Sequence, residues 1–150
     1  MKLKLLFAFS FLILLVFALQ PALAQHTYMG AEKCGKLCHK IEYTSWAATK
    51  HAKAFASLKP ADQEKADCVG CHVTGGKKEL AGVQCEECHG AGSDFSKLAI
   101  MKDVAKAKAA GLIIPTEKDC LKCHNKKSPN FKGFNFAEAA KKVHDKKPKA

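Results

Sequence analysis

The reactive side chains of this sequence are its eight cysteines and seven histidines. Every cysteine belongs to a pair, and a histidine follows each pair at once. The four instances are Cys34-Gly35-Lys36-Leu37-Cys38-His39, Cys68-Val69-Gly70-Cys71-His72, Cys85-Glu86-Glu87-Cys88-His89 and Cys120-Leu121-Lys122-Cys123-His124. Cys-x-x-Cys-His is the attachment pattern of c-type haem. The two thiols add to the porphyrin vinyl groups as thioethers. The adjacent histidine then presents its imidazole to the iron as the proximal ligand. The pattern predicts four covalent haems c, with His39, His72, His89 and His124 proximal. Cys85 comes only thirteen residues after His72, which predicts two haems held side by side.

The first motif has one extra residue between its cysteines. That residue can bulge outward while both sulfurs still reach the vinyls; a single thioether or less efficient attachment is the alternative. Zinc also binds cysteine pairs, but it would need pairs combined into four-ligand sites and gives no reason for a histidine after each pair. Disulfides suit an exported protein and leave the same histidines unexplained.

With four proximal histidines assigned, His26, His51 and His144 remain as distal ligands for four irons. One iron is short of a second histidine. Homo-oligomerisation does not change this, because a subunit that lends a histidine also loses one. That haem is therefore five-coordinate, or is closed by Met29, Met101, a lysine or the amine of Gln25. An iron with two histidines suits electron transfer, and an open iron binds small molecules.

The elements that must position these groups are short. Ile41, Thr44, Ala48, His51, Phe55 and Leu58 recur at helical spacing, with Pro60 as the stop, and predict one amphipathic helix bearing His51 among small neighbours. Residues 61–67 read as a polar connection, and Gly75-Gly76 and Gly82 as turns. Ser93 or Asp94 caps a second predicted helix with a stripe from Leu98 to Lys108, stopped by Gly111. Leu112 to Pro115 reads as extended. Asn135 and Glu138 suggest a capping box for a last helix through Phe136, Ala140 and Val143, with His144 one step round.

Residues 1–24 read as a secretory signal peptide. Lys2 and Lys4 precede an apolar run from Leu5 to Leu19, and Ala22-Leu23-Ala24 forms a cleavage site. The run is short for a membrane span, which needs about 20 residues, so no anchor is expected after cleavage. The expected haem domain covers residues 25–145, with a basic, disordered tail at 146–150. Large aliphatic residues are sparse after residue 25. So small a chain is marginal without something else in its core, and four haems would fill it. The fold class expected is mainly α with extensive irregular loops around four covalently bound haems.

The formal charge is +11, all of its positive part from lysine, because the sequence has no arginine. Basic charge raises nucleic-acid binding as a function. Eight haem propionates would nearly cancel the excess, and the residue best suited to phosphate and base contacts is missing. No nucleic-acid partner is expected.

The sequence resembles the cytochrome c-554 family of tetrahaem cytochromes. The resemblance lies in Ser45-Trp46 through His51-Ala52-Lys53-Ala54 to Ser57-Leu58-Lys59-Pro60, in Asp67 through Val73, and in Gly82-Val83 through Cys85-Glu86-Glu87-Cys88-His89-Gly90. It implies a mostly helical protein wrapped around four packed haems, acting as a periplasmic electron carrier that accepts electrons from a hydroxylamine-oxidoreductase-like donor. It also implies three bis-histidine haems and one five-coordinate haem, by position that of Cys68, Cys71 and His72. Nitric oxide reduction at the open haem is associated with some members. The chain departs from the family in being shorter, in its first motif, and in lacking a histidine between Gly90 and Cys120, where the family has a distal ligand. His26 is the candidate substitute.

Three functions follow: an exported electron carrier, favoured here; a reductase of nitric oxide or a similar molecule at the open haem of His72; and a subunit of an extracellular haem filament. Lack of arginine disfavours a nitrite-reductase-like pocket. Redox proteins are the expected partners, with surface lysines steering an acidic one. A filament would show a concentration-dependent particle size.

Overall fold

The computed structural model of the chain describes residues 26–146. The expected signal peptide and the last four residues of the basic tail lie outside the described residues. Eight short α-helices, one 3-10 turn and one small hairpin are connected by irregular chain. The helices are α1 (Ala31–Gly35), α2 (Lys40–Ala47), α3 (Ala66–His72), α4 (Cys85–His89), α5 (Leu98–Met101), α6 (Val104–Ala109), α7 (Glu117–Cys120) and α8 (Phe136–Ala140). The 3-10 turn is Phe55–Ser57, and the hairpin pairs β1 (Val73–Thr74) with β2 (Lys77–Ala81) antiparallel. This is the mainly helical, loop-rich class expected. Among the described residues, no helix is long and apolar enough to cross a membrane.

The buried apolar side chains are few: Ala31, Val69, Val73, Phe95 and Ala107. Leu37, Ile41, Leu98, Val104, Ile113, Ile114 and Leu121 are exposed on the bare polypeptide. Two-layer helical domains normally bury such residues against one another. Here those seven apolar side chains are left exposed instead.

Two expected helices are each divided, for identifiable reasons. The first ends at Ala47, well before Leu58. Thr49 Oγ1 donates to the Trp46 carbonyl (2.7 Å) and accepts from Ala52 N–H (3.3 Å), so its side chain competes with the helical ladder. The Trp46 indole donates to the Val83 carbonyl (2.9 Å), and the His51 carbonyl accepts from Val83 N–H (2.9 Å). His51 thus sits on a turn tied to the far end of the hairpin. The second is interrupted at Asp103, whose carboxylate accepts from Ala105 and Lys106 N–H and starts α6 afresh. Ser93 and Asp94 do not cap it; they lie in the preceding turn. α8 has Asn135 as its cap, as expected, but ends at Ala140, so His144 lies beyond it.

The hairpin was legible as a turn only. Gly75 and Gly76 both have positive φ, 60° and 67°, the conformation that a two-residue hairpin connection requires. Thr74 is fully buried; its hydroxyl donates to the Gly82 carbonyl (2.8 Å) and accepts from Gln84 N–H (2.8 Å). Gly82 N–H in turn donates to the His72 carbonyl (3.1 Å), so the hairpin returns the chain to the second motif before the third begins.

Candidate haem centres

Each Cys–His motif is built on a helical turn. α3 holds Cys68, Cys71 and His72, and α4 holds Cys85, Cys88 and His89. α7 ends on Cys120, and the next turn brings round Cys123 and His124. In the fourth motif the His124 N–H donates to the Cys120 carbonyl at 2.9 Å. The first motif makes the same closure across one more residue, with His39 N–H donating to the Cys34 carbonyl at 3.0 Å. The extra residue is absorbed as a single wide turn of the π type, and Leu37, 88% exposed, is what bulges out. Gly35 makes room inside this turn: a Cβ there would stand 2.2 Å from Tyr43 Cγ.

No disulfide joins any of the eight cysteines. Their contacts join motifs distant in sequence. Cys34 and Cys85 share a hydrogen bond that holds the Cys34 thiol far above, and the Cys85 thiol below, the usual thiol range. Burial and a hydrogen bond with Cys71 push Cys123 up to about 12. Burial, then the neighbouring Cys120, pushes Cys88 up to about 11. These hydrogen bonds link the first motif to the third and the fourth to the second.

The histidines supply the most informative geometry. His89 and His144 face each other with ring centres 6.3 Å apart, and His51 and His124 do so at 5.9 Å. An imidazole nitrogen binds a first-row metal at about 2.0 Å. Two such bonds in line, plus about 1.1 Å from each nitrogen to its ring centre, require about 6.2 Å between rings. Both ring separations would admit an iron held by an imidazole from each side.

Second-layer contacts orient the rings, as metal-binding imidazoles require. His89 Nδ1 is hydrogen-bonded to the Ile113 carbonyl (2.9 Å), and Ile113 N–H donates back to the His89 carbonyl (2.9 Å). The extended segment after Gly111 thus fixes the third motif. His144 Nδ1 contacts the Asp145 carbonyl (2.6 Å), while Asp145 N–H donates to Ser45 Oγ (2.8 Å) and ties this end of the chain to α2. His72 Nδ1 contacts the Ala54 carbonyl (2.7 Å). In each case the ring donates from Nδ1 and keeps Nε2 for a metal. Phe134 stacks on His124 at 5.0 Å. Burial lowers the pKa of His51 and of His89, which favours the neutral, ligating imidazole.

His26 stands apart from these pairs, hydrogen-bonded through Nδ1 to Asp94. His39 Nδ1 lies 4.0 Å from the Glu42 carboxylate. Glu86, between the cysteines of the third motif, is buried and accepts from Met29, Gly30 and Gly92 N–H at 2.6 to 2.9 Å. Its neighbour Glu87 accepts from Gly75 N–H (2.7 Å). Neither glutamate, nor Phe134, was singled out from the sequence, and Asp94 only as a helix cap; acidic residues inside a haem motif carry no sequence signal of burial. Among the described residues, no three His, Cys, Asp or Glu side chains gather to hold a metal ion by themselves. The donor set fits haem: thiols and a histidine on one turn, and histidines opposed at axial distance.

A family model described as cytochrome c554 and c-prime matches residues 33–90. Cytochrome c-554 of Nitrosomonas europaea is 34% identical over 146 residues, covering 70% of this chain and 60% of that protein. The chain therefore spans about three fifths of that relative's length. The solved structure of reduced cytochrome c554 from the same organism matches with a TM-score of 0.62 and 30% identity, over 81% of this chain and 85% of that one. The chain belongs to the cytochrome c554 family, and its cofactor is covalently bound c-type haem.

Proposed function

We propose that this protein is an exported tetrahaem electron carrier, with residues 1–24 as its signal peptide and residues 25–145 as the haem domain, working in the periplasm or outside the cell. The observation that carries this reading is the pair of opposed histidines, His89 with His144 and His51 with His124, at axial spacing. Irons closed on both faces exchange electrons without binding or releasing a ligand. The haems, when bound, supply one-electron chemistry. Cys34, Cys38, Cys68, Cys71, Cys85, Cys88, Cys120 and Cys123 would hold them by thioethers, and His39, His72, His89 and His124 from the proximal side.

Redox proteins are the partners, a hydroxylamine-oxidoreductase-like donor among them. Exposed lysines such as Lys118, Lys126 and Lys127 offer steering to an acidic surface.

The experiment is mass spectrometry of the mature holoprotein with EPR of its oxidised form. Four haems, three low-spin and one high-spin, are expected, with reduction by a small donor followed by rapid reoxidation by an acceptor cytochrome. Turnover of nitric oxide at the high-spin iron would favour a reductase, and a particle size that grows with concentration would favour a filament. Fewer than four haems, or more than one high-spin iron, overturns the coordination scheme.

A further inference from the structure

Two of the four motif histidines turn Nδ1 to a neutral backbone carbonyl, His72 to that of Ala54 (2.7 Å) and His89 to that of Ile113 (2.9 Å). A third, His39, turns Nδ1 to a carboxylate: Glu42 Oε2 stands 4.0 Å away. That separation exceeds a hydrogen bond, so it is the charge of Glu42 that reaches the ring. The Glu42 side chain is 20% exposed and its Oε2 is closed off from solvent, where a charge is screened least.

The local chain accounts for this placement. His39 is the N-cap residue of α2, and Glu42 is the third residue of that helix. A glutamate in this position ordinarily reaches back to the N–H of the cap residue. α2 has no side-chain cap bond, and the His39 N–H is already given to the Cys34 carbonyl (3.0 Å) by the wide turn of the first motif. The carboxylate is turned to the imidazole rather than to the backbone. Tyr43 N–H donates to the His39 carbonyl (2.9 Å), and the Tyr43 ring lies against Gly35, so imidazole and carboxylate are carried on one fixed turn.

We infer that Glu42 is a positioning residue for the first haem: acting through His39 Nδ1–H, its carboxylate makes the imidazole a stronger donor, favours ferric over ferrous iron, and lowers the reduction potential of that haem. This rests on the tetrahaem reading above, in which His39 is a proximal ligand. An anionic partner on the far nitrogen of a ligating imidazole raises its basicity, and a haem's potential follows axial donor strength and its surroundings. The carbonyls behind His72 and His89 orient those rings without bringing a net charge. The Cys34–Cys85 hydrogen bond sets the first motif beside the third, so one side chain helps to fix the difference in potential between two neighbouring haems.

The test is a spectroelectrochemical redox titration of the Glu42→Gln holoprotein at pH 7, with the haem count fixed by mass. Glutamine keeps the size and polarity and removes the charge. One midpoint of the four should rise, by about tenfold in its reduction equilibrium or about 59 mV for one electron, and Glu42→Asp should bring it back towards the wild type. Four haems with four unmoved midpoints leave the tetrahaem reading standing and overturn this inference, even if the melting temperature falls, because Glu42 is then structural only. A wild type without haem on Cys34 and Cys38 overturns both. Glu42→Gln combined with Cys34→Ser and Cys38→Ser, which removes the first haem, should move no midpoint; a shift there places the charge on another iron and overturns the assignment. Glu32→Gln removes a second carboxylate close to the first motif, one exposed and paired with Lys36 (2.7 Å). It should leave every midpoint in place, and a shift equal to that of Glu42→Gln would mean that the general field, not the contact with His39, sets the potential.

Discussion

The His144 and His89 ring centres lie 6.3 Å apart, although His144 comes 55 positions after His89 in sequence. Each ring is tethered at Nδ1 to a backbone carbonyl, so the two Nε2 atoms are free to share one metal. The pair is held by long-range bonds, Asp145 N–H to Ser45 and the reciprocal clasp of Ile113.

Replacing His144 or His51 by alanine should each convert one low-spin iron to high-spin without loss of a haem. The double variant should convert two, because the pairs are separate. EPR of the oxidised proteins checks this, and an unaltered spin count in both single variants would dissolve the pairing.

Glu86→Ala should destabilise the holoprotein by roughly 3 kcal/mol, since the N–H groups of Met29, Gly30 and Gly92 lose their acceptor in a buried place. Thermal unfolding followed at the haem absorbance measures it. A change within a few tenths of a kcal/mol would mean that water replaces the carboxylate.

Gly35→Ala should impair haem attachment at the first motif, because its Cβ would stand 2.2 Å from Tyr43 Cγ. Mass spectrometry should reveal a trihaem fraction, reduced again in the double variant Gly35→Ala/Tyr43→Ala. Deleting Leu37 should be tolerated, since it restores the ordinary spacing and removes an exposed residue. Full occupancy in Gly35→Ala would show that the turn has slack.

Asp119 gives a pH-dependent case. Thr116 N–H, then the Lys122 ammonium and the Thr116 hydroxyl, hold its carboxyl at about 2. An unfolded aspartate titrates at about 3.9. The folded pKa is depressed, so the stabilisation is complete above the unfolded value and is lost as pH falls from about 4 to about 2. Asp119→Asn should lower the melting temperature at pH 7 and match the wild type near pH 2. An equal deficit at both values would point to shape rather than charge.

The haem cofactor and the class of fold were legible because thioether chemistry fixes residue types at fixed spacing. The division of the helix bearing His51 was not. Periodicity registers apolar positions, whereas that helix is broken by Thr49 hydrogen-bonding to its own backbone and by Val83, more than thirty residues later, holding the His51 carbonyl. The partners of the distal histidines were equally hidden, since each pairing joins segments whose approach depends on the whole chain. Asp103 as an internal cap was readable in principle: an aspartate within a helical stripe can start a helix as well as decorate one.

Five small patches of buried apolar side chain are too little to hold a domain together. The nascent polypeptide is therefore a chain without a stable shape, and the ligation machinery must meet it in that state. Supply of haem then governs how much protein accumulates: a chain that misses its cofactor stays open to proteases, while a loaded one is sealed by its covalent bonds to haem. The abundance of this cytochrome should report the haem status of the cell as directly as it reports transcription.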